Sequence, residues 1–313
     1  MAAAAPRVSI IMPTYNWSSV LPYSIGSAQA QTLSDFELLV VGDGCTDDSA
    51  AVVAAIGDER LRWIGLAQNS GHQATPNNEG LRQARGEIIA YLGHDDLWLP
   101  NHLESLVRAI DDGADLSYSI IRWVSPNPRD DPFFLLPEYH PGCFIPPSSV
   151  AHRRAVMEKI GGWRHYRDVP KTPDTDLWQR AHAAGFRFAF VPRVTVIKLP
   201  AALRPDVYRE RPCHEQADWL ERIRNDPDLG NRELVSALFG HVPPRRMRYR
   251  ELVGHLWRET WRRLGRRIRR PPVRLDGAAY IDETRRIKGL GAPRRDAREL
   301  APEPTAPLSG ESA

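Results

Sequence analysis

Cysteine and long apolar runs are both scarce in this chain, and each absence excludes a class of protein. The three cysteines, Cys45, Cys143 and Cys213, have no metal-ligand spacing and are too few for a disulfide framework, so we expect a reducing compartment. No segment approaches the roughly 18 consecutive apolar residues of a membrane helix, and the alanine-rich start lacks the apolar core of a signal peptide. These absences predict a cytoplasmic protein.

A strong excess of one charge is also missing from the chain as a whole, but the two signs are unevenly distributed. The 313 residues carry a net charge of +3, with 42% hydrophobic and 26% charged residues, an ordinary composition for a protein with a large core. Residues 1–200 hold 18 Lys and Arg against 22 Asp and Glu, whereas residues 201–313 hold 24 against 17. We therefore expect one α/β domain followed by a basic appendage.

Strand-like and helix-like patterns alternate through the first hundred residues. The predicted strands are at 8–12, 36–41, 61–66 and 87–92, and the helices between them are at 18–32, 47–56 and 76–84. This alternation predicts a mostly parallel sheet flanked by helices. Each strand ends in a polar loop, and in such sheets ligands bind beyond the carboxyl ends of the strands. Four polar loops on one edge predict a nucleotide-type site.

The most informative of these loops follows the fourth strand, where Asp95 and Asp96 stand side by side. Hard carboxylate oxygens suit Mg²⁺ or Mn²⁺, which bind through one or two carboxylates while substrate phosphates complete the shell. The alternative is that one of the two acids caps a helix that starts near Leu97 or Pro100. The other polar loops at the same edge favour the metal-binding interpretation.

Four segments of the first hundred residues, at 13–16, 43–47, 69–80 and 95–100, form an ordered pattern. In this order and at these intervals they resemble family 2 glycosyltransferases of the GT-A (Rossmann-like) fold, over a stretch from about Val8 to Lys198. The resemblance implies inverting transfer of a sugar from a nucleotide diphosphate donor to an acceptor hydroxyl, with Mn²⁺ or Mg²⁺ as cofactor. It also implies that 1–100 is the nucleotide-sugar-binding half of the domain and 101–200 the acceptor and catalytic-base half.

The resemblance assigns roles to residues at the ends of the first two strands. Thr14, Tyr15 and Asn16 match the loop that frames the nucleotide, and Asp43 matches the acid that reads the base or ribose. A carboxylate suits that role because it accepts hydrogen bonds from a base N–H or a ribose hydroxyl. The alternative for Asp43 is a turn residue beside Gly44.

The metal ligand implied by the resemblance is Asp95, ahead of Asp96. The sequence departs from the family two positions earlier, where Gly93 replaces an acid that is often present. Either His94 or water would then take over its contacts, or the metal would be held more weakly. A neutral His94 could bind the metal or the ribose, and the alternative is a histidine that hydrogen-bonds locally.

A second departure lies in the third segment. Residues 78–80 match the family's Asn-x-Gly, which implies that Asn78 contacts the nucleotide sugar, but Asn77 stands where the family commonly has an arginine. One positive charge toward the nucleotide is therefore missing. His72 or Gln73 could compensate through hydrogen bonds, and a helix-capping role for this polar loop is the alternative.

The other half of the site is expected after a helix predicted at 152–160. Asp174 matches the family's catalytic base, with Pro173 in place of the usual Glu. A carboxylate base suffices because the acceptor hydroxyl becomes acidic as it bonds to the oxocarbenium-like anomeric carbon. The alternative for Asp174 is a helix N-cap. Asp176 is expected to face elsewhere, where it would either support the loop or pair with Arg180 one turn later.

Beyond residue 200 the resemblance fades, and 201–301 is predicted to be a helical, basic region before a disordered tail at 302–313. Residues 245–274 contain twelve arginines and two acids around an apolar stripe at helical spacing. This amphipathic helix could lie on an anionic membrane surface, making the protein peripheral at the inner face of the membrane, or pack onto the catalytic domain. Nucleic-acid binding is the weakest option because no nucleic-acid-binding motif accompanies the arginines.

The sequence thus predicts an inverting, metal-assisted glycosyltransferase whose acceptor is a glycan, a lipid-linked molecule or a small molecule. The competing hypothesis is a non-catalytic nucleotide- or glycan-binding relative of the same fold, motivated by Gly93, Asn77 and Pro173 at positions where the family commonly has other residues. A nucleotidyltransferase is disfavoured because no Gly-rich, basic triphosphate loop follows the first strand.

Overall fold

The alternating pattern folds into one mixed sheet with helices on both faces, in a computed structural model that describes residues 5–126, 136–239 and 277–290. The strands are β1 (Val8–Thr14), β2 (Phe36–Gly42), β3 (Leu61–Gly65), β4 (Ile88–Tyr91), β5 (Leu97–Trp98), β6 (Leu116–Trp123), β7 (Val150–Arg153) and β8 (Phe188–Lys198). The helices are α1 (Leu21–Gln29), α2 (Ser49–Ala55), α3 (Ala74–Gln83), α4 (His102–Asp111), α5 (Arg154–Ile160), α6 (Pro173–Ala183), α7 (Val207–Glu210), α8 (His214–Asn225), α9 (Leu229–Phe239) and α10 (Gly277–Ile287).

The sheet is parallel in its first half and mixed in its second. Its strand order is β3-β2-β1-β4-β7-β6-β8-β5, and the first four strands in this order run parallel. β7 is antiparallel to both β4 and β6, β8 returns parallel to β6, and β5 is antiparallel to β8. The predicted α/β class is confirmed, and the parallel pairing holds for the half that carries the four polar loops.

The central strands read as continuous apolar runs because both faces of the sheet are covered. On β1, Ile10 and Met12 pack into one core with α1 and α4, where Leu106 is fully buried. The intervening Ile11 faces the opposite core, which includes Trp178 of α6. Successive side chains of a strand point to opposite faces, so this alternation places a helical layer on each side.

The register of the parallel strands aligns their carboxyl ends at one edge. Thr14 of β1 lies opposite Gly42 of β2, which in turn lies opposite Gly65 of β3. Ile11 lies opposite Tyr91, the last residue of β4. The loops that follow β1, β2, β3 and β4 therefore meet at this edge, as the sequence predicts.

The described part of the region after residue 200 is helical. α8 and the start of α9 pack Trp219, Ile223 and Leu229 against Leu97 of β5 and Ile197 of β8. Within the described ranges, no helix is both long and apolar enough to cross a membrane. The predicted basic helix at 245–274 and the predicted tail at 302–313 lie outside the described residues.

Gly80, in the Asn-x-Gly segment, allows α3 to approach β1 closely. A Cβ at this position would lie 2.5 Å from Cγ2 of the fully buried Ile11, far inside van der Waals contact. The β-branched Ile11 has little freedom to move aside. The glycine of this segment is therefore required by packing between a helix and a strand.

We expect Gly80→Ala to destabilise the protein by about 1 to 2 kcal/mol, because the steric cost exceeds the gain in helix propensity. Gly26→Ala is the matched control, since this helical glycine has room for a Cβ at 3.6 Å from Leu220. That variant should be neutral or slightly stabilised. Urea unfolding of both variants measures the difference, and equal midpoints would contradict the packing argument.

Candidate functional site

A pocket of about 340 Å³ opens at the edge of the sheet where the parallel strands end. This volume is within the range of small-ligand sites, roughly 300 to 1,000 Å³. Its walls come from the strand-end loops of the first half, from the surroundings of α6 and β8, and from the segment 277–290. The charged side chains that line it in the described part of the chain are Asp43, Asp95, Asp96, Asp174, Lys198, Arg285 and Lys288.

Asp43 is fixed at the floor of the pocket as a buried hydrogen-bond acceptor. Its carboxylate accepts hydrogen bonds from the backbone N–H of Ser70 at 2.9 Å and from Nδ2 of Asn69 at 3.0 Å. Gly44, at φ +65°, allows the turn to pack closely on this loop, because a Cβ there would lie 2.2 Å from the Asn69 nitrogen. Burial raises the pKa of Asp43 to about 6 despite these hydrogen bonds.

His94 connects two walls of the pocket through both of its ring nitrogens. Nδ1 lies 2.8 Å from Thr14 Oγ1, and Nε2 lies 3.0 Å from the hydroxyl of Tyr208. The Trp17 ring packs edge-on against the imidazole, with centroids 5.4 Å apart. Burial lowers the pKa of His94, although the nearby Asp95 opposes the shift. Because neighbouring side chains use both nitrogens, this arrangement favours the local hydrogen-bonding interpretation over direct metal ligation.

The three predicted residues of the first loop occupy different places. Thr14 and Tyr15 line the pocket, whereas Asn16 supports the neighbouring loop from outside the lining. Oδ1 of Asn16 accepts hydrogen bonds from the backbone N–H groups of Thr46 at 2.7 Å and Asp47 at 3.3 Å. Its backbone has φ of +44°, a region that asparagine tolerates. Asn16 therefore frames the site indirectly, by shaping the loop that follows β2.

Asn78 likewise lies outside the pocket lining and clamps the turn after α5. Its Oδ1 accepts a hydrogen bond from Trp163 N at 2.9 Å, and its Nδ2 donates to Trp163 O at 2.8 Å. Arg180 holds the same turn from the other side through Gly162 O, and it forms the predicted ion pair with Asp176 at 2.8 Å. The neighbour Asn77 lines the pocket in place of Asn78.

Asp96 forms a buried ion pair with Lys198 at the base of the pocket. The two groups are 2.7 Å apart, with Asp96 fully buried and Lys198 17% exposed. The same carboxylate accepts hydrogen bonds from the Ser148 hydroxyl and from Leu199 N at 3.3 Å. Burial opposes the charge of Lys198, but Asp96 and Asp95 outweigh it and raise the pKa of the ammonium. Both oxygens of Asp96 are therefore occupied.

Asp95 differs from Asp96 because its carboxylate faces the pocket and forms no ion pair within 4.0 Å in the described part of the chain. Burial disfavours its charge, but His94, Lys198 and Lys288 outweigh that penalty and lower the pKa of this carboxyl. Gly93 lies directly beside both acids. A Cβ there would sit 2.9 Å from Asp96 Oδ2 and 3.1 Å from Asp95 Oδ1, so a larger side chain would displace these carboxylates.

Asp174 faces the same pocket from the first turn of α6, immediately after Pro173. Its side chain is 7% exposed, and Oδ1 accepts a hydrogen bond from Thr175 N at 2.8 Å. Burial raises the pKa of Asp174, although hydrogen bonds from Thr172 and Thr175 oppose the shift. The N-cap residue of α6 is Thr172, the residue before Pro173, so Asp174 lies inside the helix. The structure thus brings Asp95 and Asp174 into one cavity.

The sequence reasoning missed several residues that complete this pocket. Lys198 ends the apolar strand β8, and a charged residue at the end of a buried strand was a signal that could have identified it. Tyr208, Arg285 and Lys288 had no local signal, because they reach the site from helices far along the chain. Their proximity depends on tertiary packing.

Sequence comparison is consistent with this geometry. The family model for glycosyl transferase family 2 matches residues 9–161. An uncharacterized glycosyltransferase of Nostoc sp. is 31% identical over 170 residues, covering 49% of this chain and 53% of the relative. The UDP-Glc:alpha-D-GlcNAc-diphosphoundecaprenol beta-1,3-glucosyltransferase WfgD of Escherichia coli is 38% identical over 97 residues, covering 31% and 38%. The chain spans about half the length, or less, of these curated relatives.

Structural comparison shows the fold. The mannosyltransferase PcManGT from Pyrobaculum calidifontis, solved in complex with GDP-Man and Mn²⁺, superposes with a TM-score of 0.51 at 19% identity, covering 91% of this chain and 86% of that chain. The mixed sheet with a pocket across its strand ends is the GT-A fold. Residues 9–161, just under half of the chain, are similar to glycosyl transferase family 2.

We expect Lys198→Met to destabilise the protein by about 3 kcal/mol or more, because it leaves the buried Asp96 carboxylate without its counter-ion. Adding Asp96→Asn should recover part of that loss. Arg187→Met is the control, since Arg187 is 73% exposed and pairs with Asp115 at 3.6 Å, so its loss should cost less than about 1 kcal/mol. Urea unfolding of the wild type, Lys198→Met, Asp96→Asn, the double variant and Arg187→Met tests this, and additive effects of the two single variants would contradict a coupled pair.

Proposed function

We propose that this chain is an inverting glycosyltransferase that transfers a sugar from a nucleoside diphosphate donor to an acceptor hydroxyl. In this proposal Asp174 is the general base, and Asp95 binds Mn²⁺ or Mg²⁺. The match to the family 2 model supports glycosyl transfer, and the name of the relative WfgD specifies UDP-Glc as its donor. Thr14, Tyr15 and Asp43 would bind the nucleotide.

The observation that carries the proposal is that Asp95 and Asp174 line one cavity although they come from different halves of the chain. A transfer site needs a place for the leaving diphosphate and a base for the acceptor. Asp95 lies at the strand-end loops, where an open α/β sheet binds phosphate groups. Asp174 lies on the wall contributed by α6.

Asp174 suits the role of base because burial raises its pKa toward the operating pH, which strengthens it as a proton acceptor. The acceptor oxygen would attack the anomeric carbon as the bond to the nucleoside diphosphate breaks. Its proton would pass to the Asp174 carboxylate. Attack on the face opposite the leaving group inverts the anomeric configuration, as in single-displacement glycosidases.

A divalent cation fits this site if the donor supplies most of its ligands. No set of three or more His, Cys, Asp and Glu side chains in the described ranges is arranged to hold a metal ion. Asp95 has an uncommitted carboxylate, whereas Asp96 and His94 are held by other side chains. One carboxylate with substrate phosphates is a common arrangement for Mg²⁺. The bound ion would offset negative charge on the leaving diphosphate.

A screen of nucleotide sugars for donor hydrolysis and transfer, with Mn²⁺, Mg²⁺ or EDTA, tests the proposed function. With the active donor, Asp174→Asn should lower turnover by at least about 100-fold because the general base is lost. The same variant should keep its affinity for the nucleoside diphosphate, which calorimetry measures. Loss of turnover in EDTA would support the cation at Asp95.

Asp176→Asn is the control, because it removes a carboxylate two residues away that pairs with Arg180 rather than lining the pocket. This variant should retain turnover within a few-fold of the wild type. Unchanged turnover in Asp174→Asn would overturn the assignment of Asp174 as the general base. Nucleotide binding without turnover across the whole donor panel would favour a non-catalytic nucleotide-binding relative.

Nucleotide affinity should also depend on the ionisation of Asp43, whose pKa is about 6. The carboxylate accepts hydrogen bonds from base or ribose, and its protonation removes that capacity. We therefore expect affinity for the nucleoside diphosphate to fall about tenfold between pH 7.5 and pH 5.

Asp43→Asn is the matched control for this pH dependence, because it has no ionisable group at the position while keeping its size. The phosphates of the ligand titrate equally against both proteins, so the ratio of the two affinities isolates Asp43. A ratio that stays constant from pH 7.5 to pH 5 would contradict the role of this carboxylate.

A further inference from the structure

The segment 277–290 forms one wall of the pocket. Tyr280, Thr284, Arg285 and Lys288 line the cavity from this segment. Two of the three cations in the described lining, Arg285 and Lys288, come from this wall. Most of the positive charge facing the pocket is therefore supplied from the C-terminal part of the chain.

This wall is anchored by hydrogen bonds to two separate parts of the fold. Asp206 N donates to Ile287 O at 2.8 Å, and Tyr208 N donates to Lys288 O at 3.0 Å. In the middle of α10, the Tyr166 hydroxyl donates to Asp282 Oδ1 at 3.0 Å. These bonds fix both the position and the rotation of the helix, so the face that it presents to the pocket is defined.

α10 also approaches the chain closely at its first residue. Gly277 N donates to Pro170 O at 3.2 Å, and a Cβ on Gly277 would lie 2.4 Å from Lys171 O. A larger residue could not occupy this position without moving the helix. The docking of α10 is thus supported by packing as well as by hydrogen bonds.

The three cations differ in what neutralises them. Lys198 pairs with Asp96, and Arg285 donates a hydrogen bond to Gly71 O on the loop after β3. Lys288 is partly buried, and in the described part of the chain its ammonium forms no ion pair within 4.0 Å. Its ammonium nitrogen lies 6.0 Å from the centroid of the Tyr208 ring. That distance is the outer limit of a cation–π contact.

A partly buried ammonium without a carboxylate partner is unfavourable, because it has lost part of its hydration without gaining an ion pair. Burial accordingly lowers the pKa of Lys288, while the nearby Asp95 opposes the shift. An anionic ligand in the pocket would replace the missing hydration. The position of Lys288 near Asp95 places this cation beside the proposed diphosphate site.

We propose that Lys288 binds the diphosphate of the nucleoside diphosphate donor, so that the C-terminal helix completes the donor site. This inference rests on the proposed function, since it names a further binding residue of the same pocket. Lysine acts as a point charge toward phosphate and needs no fixed fork geometry. Arg285 serves as a positioning residue, because its bond to Gly71 O joins α10 to the strand-end loops.

The test is calorimetric binding of UDP and GDP, and of uridine and guanosine, to the full chain and to Lys288→Met. Affinity for the nucleoside diphosphate that the wild type binds should fall at least tenfold in the variant. Affinity for the corresponding nucleoside should change less than twofold, because Lys288 is proposed to contact phosphate alone. Lys288→Arg, which keeps the charge, should recover most of the lost affinity.

Arg286→Met is the matched control. Arg286 is the second neighbour of Lys288, is 74% exposed and pairs with Glu283 on the outer face of α10. The substitution removes one positive charge from the same helix without touching the pocket. The affinity of this variant for the nucleoside diphosphate should therefore stay within twofold of the wild type. An equal loss in both variants would reduce the effect to long-range charge and would overturn the inference.

Two further outcomes separate this inference from the proposed function. Equal losses of nucleoside and nucleoside diphosphate affinity in Lys288→Met would indicate a structural role and overturn the phosphate contact alone. Unchanged affinity of Lys288→Met for the nucleoside diphosphate would also overturn the phosphate contact alone. Failure of the wild type to bind any nucleoside diphosphate, in a panel extended to ADP, CDP and dTDP, would overturn the proposed function and the Lys288 assignment together.

Discussion

The buried ion pair between Asp96 and Lys198 is the contact on which the geometry of the pocket depends. It joins the loop after β4 to the end of β8, two strands that are not neighbours in the sheet, and Ser148 fixes the same carboxylate from a third segment. Desolvating two charges costs several kcal/mol per ion unless the pair and its hydrogen bonds form together. The three segments therefore assemble as a unit, and Asp95 is held in place by its neighbour.

The parts of the fold that the sequence predicts are those determined by local periodicity. β1 to β4 are buried on both faces, so each appears as a short apolar run between polar loops. The register then brings those loops to one edge. The later strands pair both parallel and antiparallel, and no local pattern specifies which neighbour β7 or β8 selects. The mixed half of the sheet is consequently a product of tertiary packing.

The residues of the site likewise divide into those that the local sequence predicts and those that depend on long-range contacts. Asp43, Asp95 and Asp174 were identified because each follows a recognisable segment. Lys288 was not, because it acquires its environment from residues distant in sequence, and Lys198 was missed although its place at the end of a strand was a signal. Polar side chains also have two uses that composition does not separate. An amide that hydrogen-bonds backbone and an amide that hydrogen-bonds a ligand have the same chemistry, and the structure gives the first use to Asn16 and Asn78.

Gly93 has a consequence for how this pocket can vary. It carries no functional group, yet the space above its Cα is already occupied by the carboxylates of Asp95 and Asp96. The side chain at position 93 is therefore limited by its volume rather than by its functional group. An added side chain here would disturb the charged centre as surely as a change in the acids themselves. Substitutions that alter the charge balance of the pocket are therefore accommodated more easily on α10 than at Gly93.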